Sequence, residues 1–153
     1  MSSWSDSLVI EVITMYQNIM LAADGSDNSI RAAREAARLA NCSDDSTITI
    51  VFVTDFDRVK ESVLYKGTQD SPDRTYRKQL KPIEMVLREY DVPYNVQILH
   101  GEPASVLIDY AHTELFDLVV IGSRGLNSFQ EMILGSVSHK VIKRLSCPAL
   151  LVK

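Results

Sequence analysis

The sequence predicts an α/β protein: an open parallel sheet of five strands with helices on both faces, a three-layer α/β/α sandwich. Three observations carry this. Apolar, β-branched runs alternate along the chain with amphipathic stretches of helical period. The run Leu118-Val119-Val120-Ile121 contains no polar residue, as a central parallel strand covered on both faces requires. That run stops at Gly122-Ser123-Arg124-Gly125, which leads, nine residues later, to Gly135-Ser136 and a new helical pattern.

The first strand is expected over Tyr16 to Ala23, so residues 15–153 form a single domain and residues 1–14 an extension outside the fold. Leu8 to Ile13 is apolar but is interrupted by Glu11 and preceded by no basic residue, unlike a signal peptide. Asp24-Gly25-Ser26-Asp27 is a turn cluster, and Asn28 or Ser29 is the expected helix cap. Ile30, Ala33, Ala36, Ala37 and Ala40 then share one helical face, opposite Arg31, Arg34, Glu35 and Arg38. Thr47 to Val53 is β-branched and reads as the second strand. Residues 54–70 are polar and weakly periodic, hence a long loop.

Ser71-Pro72 is a helix start, with Ser as cap and Pro at the first position. The helix runs through Leu80, Ile83, Val86 and Leu87 to Tyr90, and its internal Pro82 should kink or divide it. Tyr94 to His100 alternates as the third strand, and Gly101-Glu102-Pro103 leads into a helix over Ala104 to Leu115. Asp117 to Ile121 is the fourth strand, Ser136 to Leu145 the last helix, and Ala149 to Val152 the final strand.

In such a sheet, ligands bind beyond the carboxyl ends of the strands where strand order reverses. The ends of the first strand (Ala22, Ala23, Asp24) and fourth strand (Ile121, Gly122) are expected to meet there. A strand, a glycine-punctuated loop and a helix N-terminus make an anion site of the phosphate-binding type. The spacing G-x2-G-x9-G-S arises by chance in roughly one chain of this length in a few hundred at average glycine usage, so it carries weight. Gly122 and Gly125 let backbone amides approach a phosphate, and Gly135, Ser136, Val137 and Ser138 supply helix N-terminal amides, with two hydroxyls as further donors. Asp24 is either a carboxylate for ribose hydroxyls or a metal, or the acceptor of an Asp-Gly turn. Arg124 is either a phosphate contact or a surface cation.

The formal charge of −4 argues against a general nucleic-acid binder. Yet Arg124, Lys140, Lys143, Arg144 and Lys153 face only Glu131 in residues 122–153, so the end with the glycine loop is positive and suits a small anion. Cys42 and Cys147 are too few for a disulfide framework and are expected as small core residues in a reduced compartment. His100, His112 and His139 lack metal-ligand spacing. No apolar run is long enough for a membrane span. The chain contains no Gly-x-Gly-x-x-Gly after its first strand, no Gly-x4-Gly-Lys-[Ser/Thr], no Gly-x-Ser-x-Gly and no His-Glu-x-x-His. The sequence supports binding better than catalysis.

From residue 16 onward the chain resembles the universal stress proteins. The resemblance lies in Asn18 to Ser26 (NIMLAADGS), Gly101-Glu102-Pro103-Ala104, Asp117 to Gly125 (DLVVIGSRG), Leu134 to Ser138 (LGSVS) and Cys147 to Val152 (CPALLV). It implies a Rossmann-like sheet in the order 3-2-1-4-5, and the glycine pattern is that of the ATP-binding members. By the same resemblance Asp24 would contact the nucleoside with Ala22 and Ala23 on the same wall, and Val53 would meet adenine through its backbone. Ile121, Gly122, Arg124, Gly125, Gly135, Ser136, Val137 and Ser138 would hold ribose and phosphates, with magnesium or manganese bridging the phosphates. Ala22 stands where some binders have proline, and Phe52 where many members have histidine. The resemblance also implies a cytoplasmic homodimer joined through Ala149 to Val152, with slow or no ATP hydrolysis. An ATP-using enzyme, a nucleotide-free adaptor, and ADP, AMP or a cyclic nucleotide as ligand are the rival readings.

Overall fold

The structure, a computed structural model, describes residues 16–54, 72–124 and 134–153. The elements are β1 (Asn18–Ala23), α1 (Asp27–Ala40), β2 (Thr47–Thr54), α2 (Pro72–Glu89), β3 (Tyr94–His100), α3 (Pro103–Thr113), β4 (Leu118–Gly122), α4 (Ser136–Arg144) and β5 (Ala149–Val152). All neighbouring strands pair in parallel, in the order β3-β2-β1-β4-β5, as expected. The order reverses between β1 and β4, where Ala22 lies opposite Ile121.

The pleat sends alternate residues to opposite faces. Ile19, Leu21, Ile48, Ile50, Phe52, Leu118 and Val120 pack under α1 and α2. Met20, Ala22, Val51, Val119 and Ile121 pack under α3 and α4. β1 and β4 are therefore covered on both sides, which explains their unbroken apolar runs. Five alanines of α1, at 32, 33, 36, 37 and 40, are buried and let its backbone lie close to the sheet. Asp117 stands just before β4, and its carboxylate accepts from the amides of Gln17 (3.0 Å) and Asn18 (2.9 Å), tying the starts of β1 and β4 together.

Several expectations need correction. The cap of α1 is Ser26, whose hydroxyl accepts from the Ser29 amide, so the helix starts two or three residues before an Asn28 or Ser29 cap would place it. Asn28 and Ser29 are instead buried within its first turn. Pro82 does not divide α2, because its ring is on the exposed face, where water can serve the carbonyl one turn back that loses a helical donor. α3 starts at Pro103, capped by the Glu102 carboxylate on the amides of Ala104 and Ser105, and ends before Leu115, which is exposed with φ 53°. Cys42 is exposed and so is not the core residue expected, whereas Cys147 is half-buried and packs against the core under α3 and α4. The extension 1–14, most of the loop 54–70, the Ser71 cap and Gly125 lie outside the described residues.

Candidate functional site

The site is built where β1 and β4 end side by side. Beyond β1, Asp24 folds back on the helix that follows. Its Oδ1 accepts from the Ser29 hydroxyl (2.7 Å) and the Ser26 amide (2.9 Å), while its own amide donates to Ser29 Oγ (3.0 Å). Asp24 thus serves the turn role that Asp-Gly predicts, and this network holds its carboxylate at the mouth of the β1–β4 crevice. Gly25 completes the turn at φ +81°, a conformation that side chains disfavour.

Beyond β4, the loop is pinned from several sides. The Ser123 amide donates to the Val152 carbonyl (2.7 Å), extending the β4–β5 pairing by one residue. The Ser123 carbonyl accepts from the Gly135 amide (2.8 Å), bringing the start of α4 to the end of β4. The buried Ser138 hydroxyl donates to the Gly122 carbonyl (2.7 Å), so its proton is committed to the loop, not held ready as a ligand donor as the sequence reading supposed.

The two glycines of this junction exist for different reasons. A Cβ on Gly122 would lie 2.8 Å from Asn28 Cβ and 3.1 Å from the Asn28 carbonyl carbon. Gly122 is therefore the seat on which the first turn of α1 rests, and the fold alone demands it. Gly135 is different. It caps α4 at φ −57°, ψ 149°, and among the described residues a Cβ there would meet nothing closer than the Ser123 oxygen at 3.4 Å. Neither the backbone angle nor the space left by the described residues requires glycine at that position.

α4 has no side-chain cap, and the first-turn amides of Ser136, Val137 and Ser138 have no partner within the helix. Ser136 is exposed, while Val137 packs on the core under α3 and α4. The positive end of the helix dipole adds to the half-buried Arg124 beside Gly135, whose Cβ position lies 3.5 Å from Arg124 Cα. This junction suits a small anion such as a phosphate.

The structure places Ala22, Ala23, Asp24, Ile121, Gly122, Arg124, Gly135, Ser136, Val137 and Ser138 around the ends of β1 and β4, but Ala22 packs on the α3/α4 side and Ala23 on the α1/α2 side, so the pleat denies these two the common wall expected of them. Val53 reaches the same sheet edge on β2, one residue beyond the Phe52 that pairs with Ala23. Phe52 is buried against Tyr76, with ring centroids 5.2 Å apart, so its departure from the family's usual residue falls on packing. Among the described residues no group of three or more His, Cys, Asp or Glu could hold a metal ion.

Sequence reasoning missed Asn28 and Arg31. The Asn28 carboxamide donates to the Arg124 carbonyl (2.9 Å) and accepts from the Arg31 guanidinium, whose Nε donates to the Lys153 carbonyl (2.9 Å). One signal was available: Asn28 precedes Ala32 and Ala36 by one and two turns, a polar residue on the stripe that faces the sheet.

Comparison with known proteins agrees with this architecture. A universal stress protein from Methanocaldococcus jannaschii, MJ0531, is 29% identical over 150 residues, covering 97% of this chain and 88% of its own. Bacillus subtilis universal stress protein YxiE is 30% identical, covering 91% of this chain and 100% of its own. Among solved structures, a universal stress protein in complex with cAMP superposes with a TM-score of 0.67 at 23% identity, covering 92% of this chain and 98% of its own. An Archaeoglobus fulgidus universal stress protein in complex with dAMP gives 0.68 at 22%, covering 92% and 100%. The model of the universal stress protein family matches residues 15–153, and the chain belongs to that family.

Proposed function

We propose that this chain is an ATP-binding universal stress protein, a nucleotide-responsive regulatory module of the stress response with slow or no hydrolysis. One observation carries the reading. Gly135, which neither its backbone angle nor any contact among the described residues requires, opens a helix without a side-chain cap at the reversal point of the sheet. A missing side chain there serves an incoming phosphate. Ser136, Val137 and Ser138 would receive the phosphates through their amides, with Gly122, Arg124 and Gly125 along the same loop. Ala22, Asp24 and Ile121 would line the nucleoside side, with Ala23 contributing only its backbone at the strand end, and the Val53 backbone would face adenine. Without a cluster of metal-ligating side chains among the described residues, magnesium or manganese would be held chiefly by the phosphates themselves.

The test is to purify the protein without added nucleotide, denature it and identify what is released by chromatography and mass. Near-stoichiometric ATP or ADP is expected, with binding lost in Gly135→Leu at unchanged fold. Empty protein that also fails to bind ATP with magnesium would overturn the proposal and leave an adaptor. A second reading, a mononucleotide or cyclic nucleotide as ligand, draws on the relatives solved with cAMP and dAMP. The same release experiment separates it from ATP.

Assembly and location belong to this proposal. β5 is an edge strand with one neighbour, and Leu150, Leu151 and Val152 are only half-buried, an apolar edge that pairing with a second copy would cover. A cytoplasmic homodimer joined through Ala149 to Val152 is the expected form, checked by sedimentation of the intact chain. Among the described residues no helix is long and apolar enough to cross a membrane.

A further inference from the structure

We propose that Asn28, held by Arg31, is a positioning residue that sets the backbone at Arg124, just past β4, and so tunes affinity for a nucleotide's phosphates. The inference rests on the nucleotide reading above for its ligand, but not for its geometry. Asn28 is buried at the first turn of α1, in contact range of the seat that Gly122 provides. Its Nδ2 holds the Arg124 carbonyl, 96 residues away along the chain. That bond holds the Arg124 carbonyl, two residues past the end of β4.

An asparagine carboxamide can turn over, exchanging donor for acceptor. Arg31 prevents this. Its guanidinium has only donors, so a bond to Asn28 demands the carboxamide oxygen on that side and leaves the NH₂ for the Arg124 carbonyl. Arg31 is itself fixed through its Nε by the Lys153 carbonyl, just past β5. Its fork thus spans two acceptors at once, which a lysine ammonium at the end of a flexible stem does not reproduce. The brace joins three parts of the chain: the start of α1, the exit of β4 and the end of β5.

The test compares Asn28→Asp, Arg31→Lys and Arg31→Gln with the wild type. Asp keeps the size and the acceptor toward Arg31 but sets an acceptor against the Arg124 carbonyl. Binding of ADP and of adenosine is measured by calorimetry for each. A phosphate-loop brace predicts that Asn28→Asp weakens ADP by about tenfold or more, an ordinary effect of losing one buried hydrogen bond, and adenosine by less than about twofold. Arg31→Lys and Arg31→Gln should weaken ADP alike. If Arg31 acted through charge alone, Arg31→Lys would bind as the wild type does, and that result overturns the brace.

Amide hydrogen exchange on ligand-free protein supplies a readout independent of any nucleotide. In Asn28→Asp the Ser123 and Gly135 amides should exchange faster while those of Val119 and Val120 in the core do not change. Unchanged exchange at Ser123 and Gly135 refutes the positioning role. Should the wild type bind neither ADP nor adenosine, the nucleotide reading fails, and the exchange experiment alone decides for or against the brace. Should Asn28→Asp not fold, the two Arg31 variants, altered at an exposed residue, carry both measurements.

Discussion

Gly122→Ala and Gly135→Ala add the same methyl group to the same motif, yet the structure assigns them opposite outcomes. At Gly122 the added carbon would stand 2.8 Å from Asn28 Cβ, 3.1 Å from its carbonyl carbon and 3.2 Å from its carbonyl oxygen. Two of those three atoms are backbone atoms of α1, so no rotamer change relieves the clash, and the start of the helix must lift from β4. Overpacking of this kind costs about 1–3 kcal/mol. For a domain of this size each kcal/mol lowers the melting temperature by roughly 2–4 °C. At Gly135 the nearest atom among the described residues is 3.4 Å away, an ordinary contact. Alanine there is a poorer helix cap than glycine, but it restricts the unfolded chain by about 0.4–1 kcal/mol in the opposite direction. The two effects nearly cancel, leaving a change within about 0.5 kcal/mol.

Urea denaturation of the nucleotide-free protein measures both. With a slope of about 2 kcal/mol per molar, Gly122→Ala should move the midpoint down by roughly 0.5–1.5 M, and Gly135→Ala by less than about 0.3 M. The slope itself should be unchanged. Equal stability of Gly122→Ala and wild type would refute the claim that α1 is seated on that glycine. A larger loss at Gly135 than at Gly122 would refute the division of the motif into a fold glycine and a ligand glycine.

Three further outcomes follow from individual contacts. Ser138→Ala should cost about 1–3 kcal/mol in unfolding experiments, because a buried hydroxyl that donates to the Gly122 carbonyl is lost. Ser26→Ala should cost about 1 kcal/mol by removing the α1 cap, read by the same denaturation. Hydrogen bonds from Ser105, first its side chain and then its amide, hold the Glu102 carboxyl below the usual carboxylate range. Its folded pKa is thus below its unfolded one. The stabilisation is complete above the unfolded value and is lost as pH falls through the folded one. Glu102→Gln should flatten that acid-side slope while leaving neutral stability less affected, which a pH series of melting temperatures checks.

How much of this was legible in the sequence depends on the range of the interactions. Strand and helix identities follow from local period, and they hold: the apolar run at 118–121 is the doubly covered strand it resembles, and the alternation of elements yields the parallel sheet. Misplacements occurred where a short polar side chain decided a boundary. Ser26, Asp27, Asn28 and Ser29 are all residues that can cap a helix, and the hydrogen-bond partners select Ser26: its hydroxyl accepts from the Ser29 amide, while the Ser29 hydroxyl donates to Asp24 and the Asn28 carboxamide to the Arg124 carbonyl. Pro82 misled because a proline's effect depends on which face of the helix its ring occupies, and the exposed face tolerates it. Asn28 and Arg31 were unreadable as loop supports because their partners lie 96 and 122 residues away. No local rule connects the first turn of α1 to Arg124 and Lys153. The adjacency of β1 and β4 does.

That adjacency also explains why a glycine pattern at this junction speaks for two pressures at once. In a sheet that reverses between β1 and β4, the first helix and the loop after β4 compete for the same small volume above the strand ends. Gly122 yields that volume to α1, and a family member that binds nothing would need it as much as a binder does. Gly135 yields space on the other side, to no residue that the structure describes. Of the two motif glycines that the structure describes, the last is therefore the one whose replacement tests the proposed anion site. A relative that keeps the first glycine but carries a bulky residue at the last should retain this fold and lose its anion site. One that keeps the last but fills the first should be unstable before the question of binding arises.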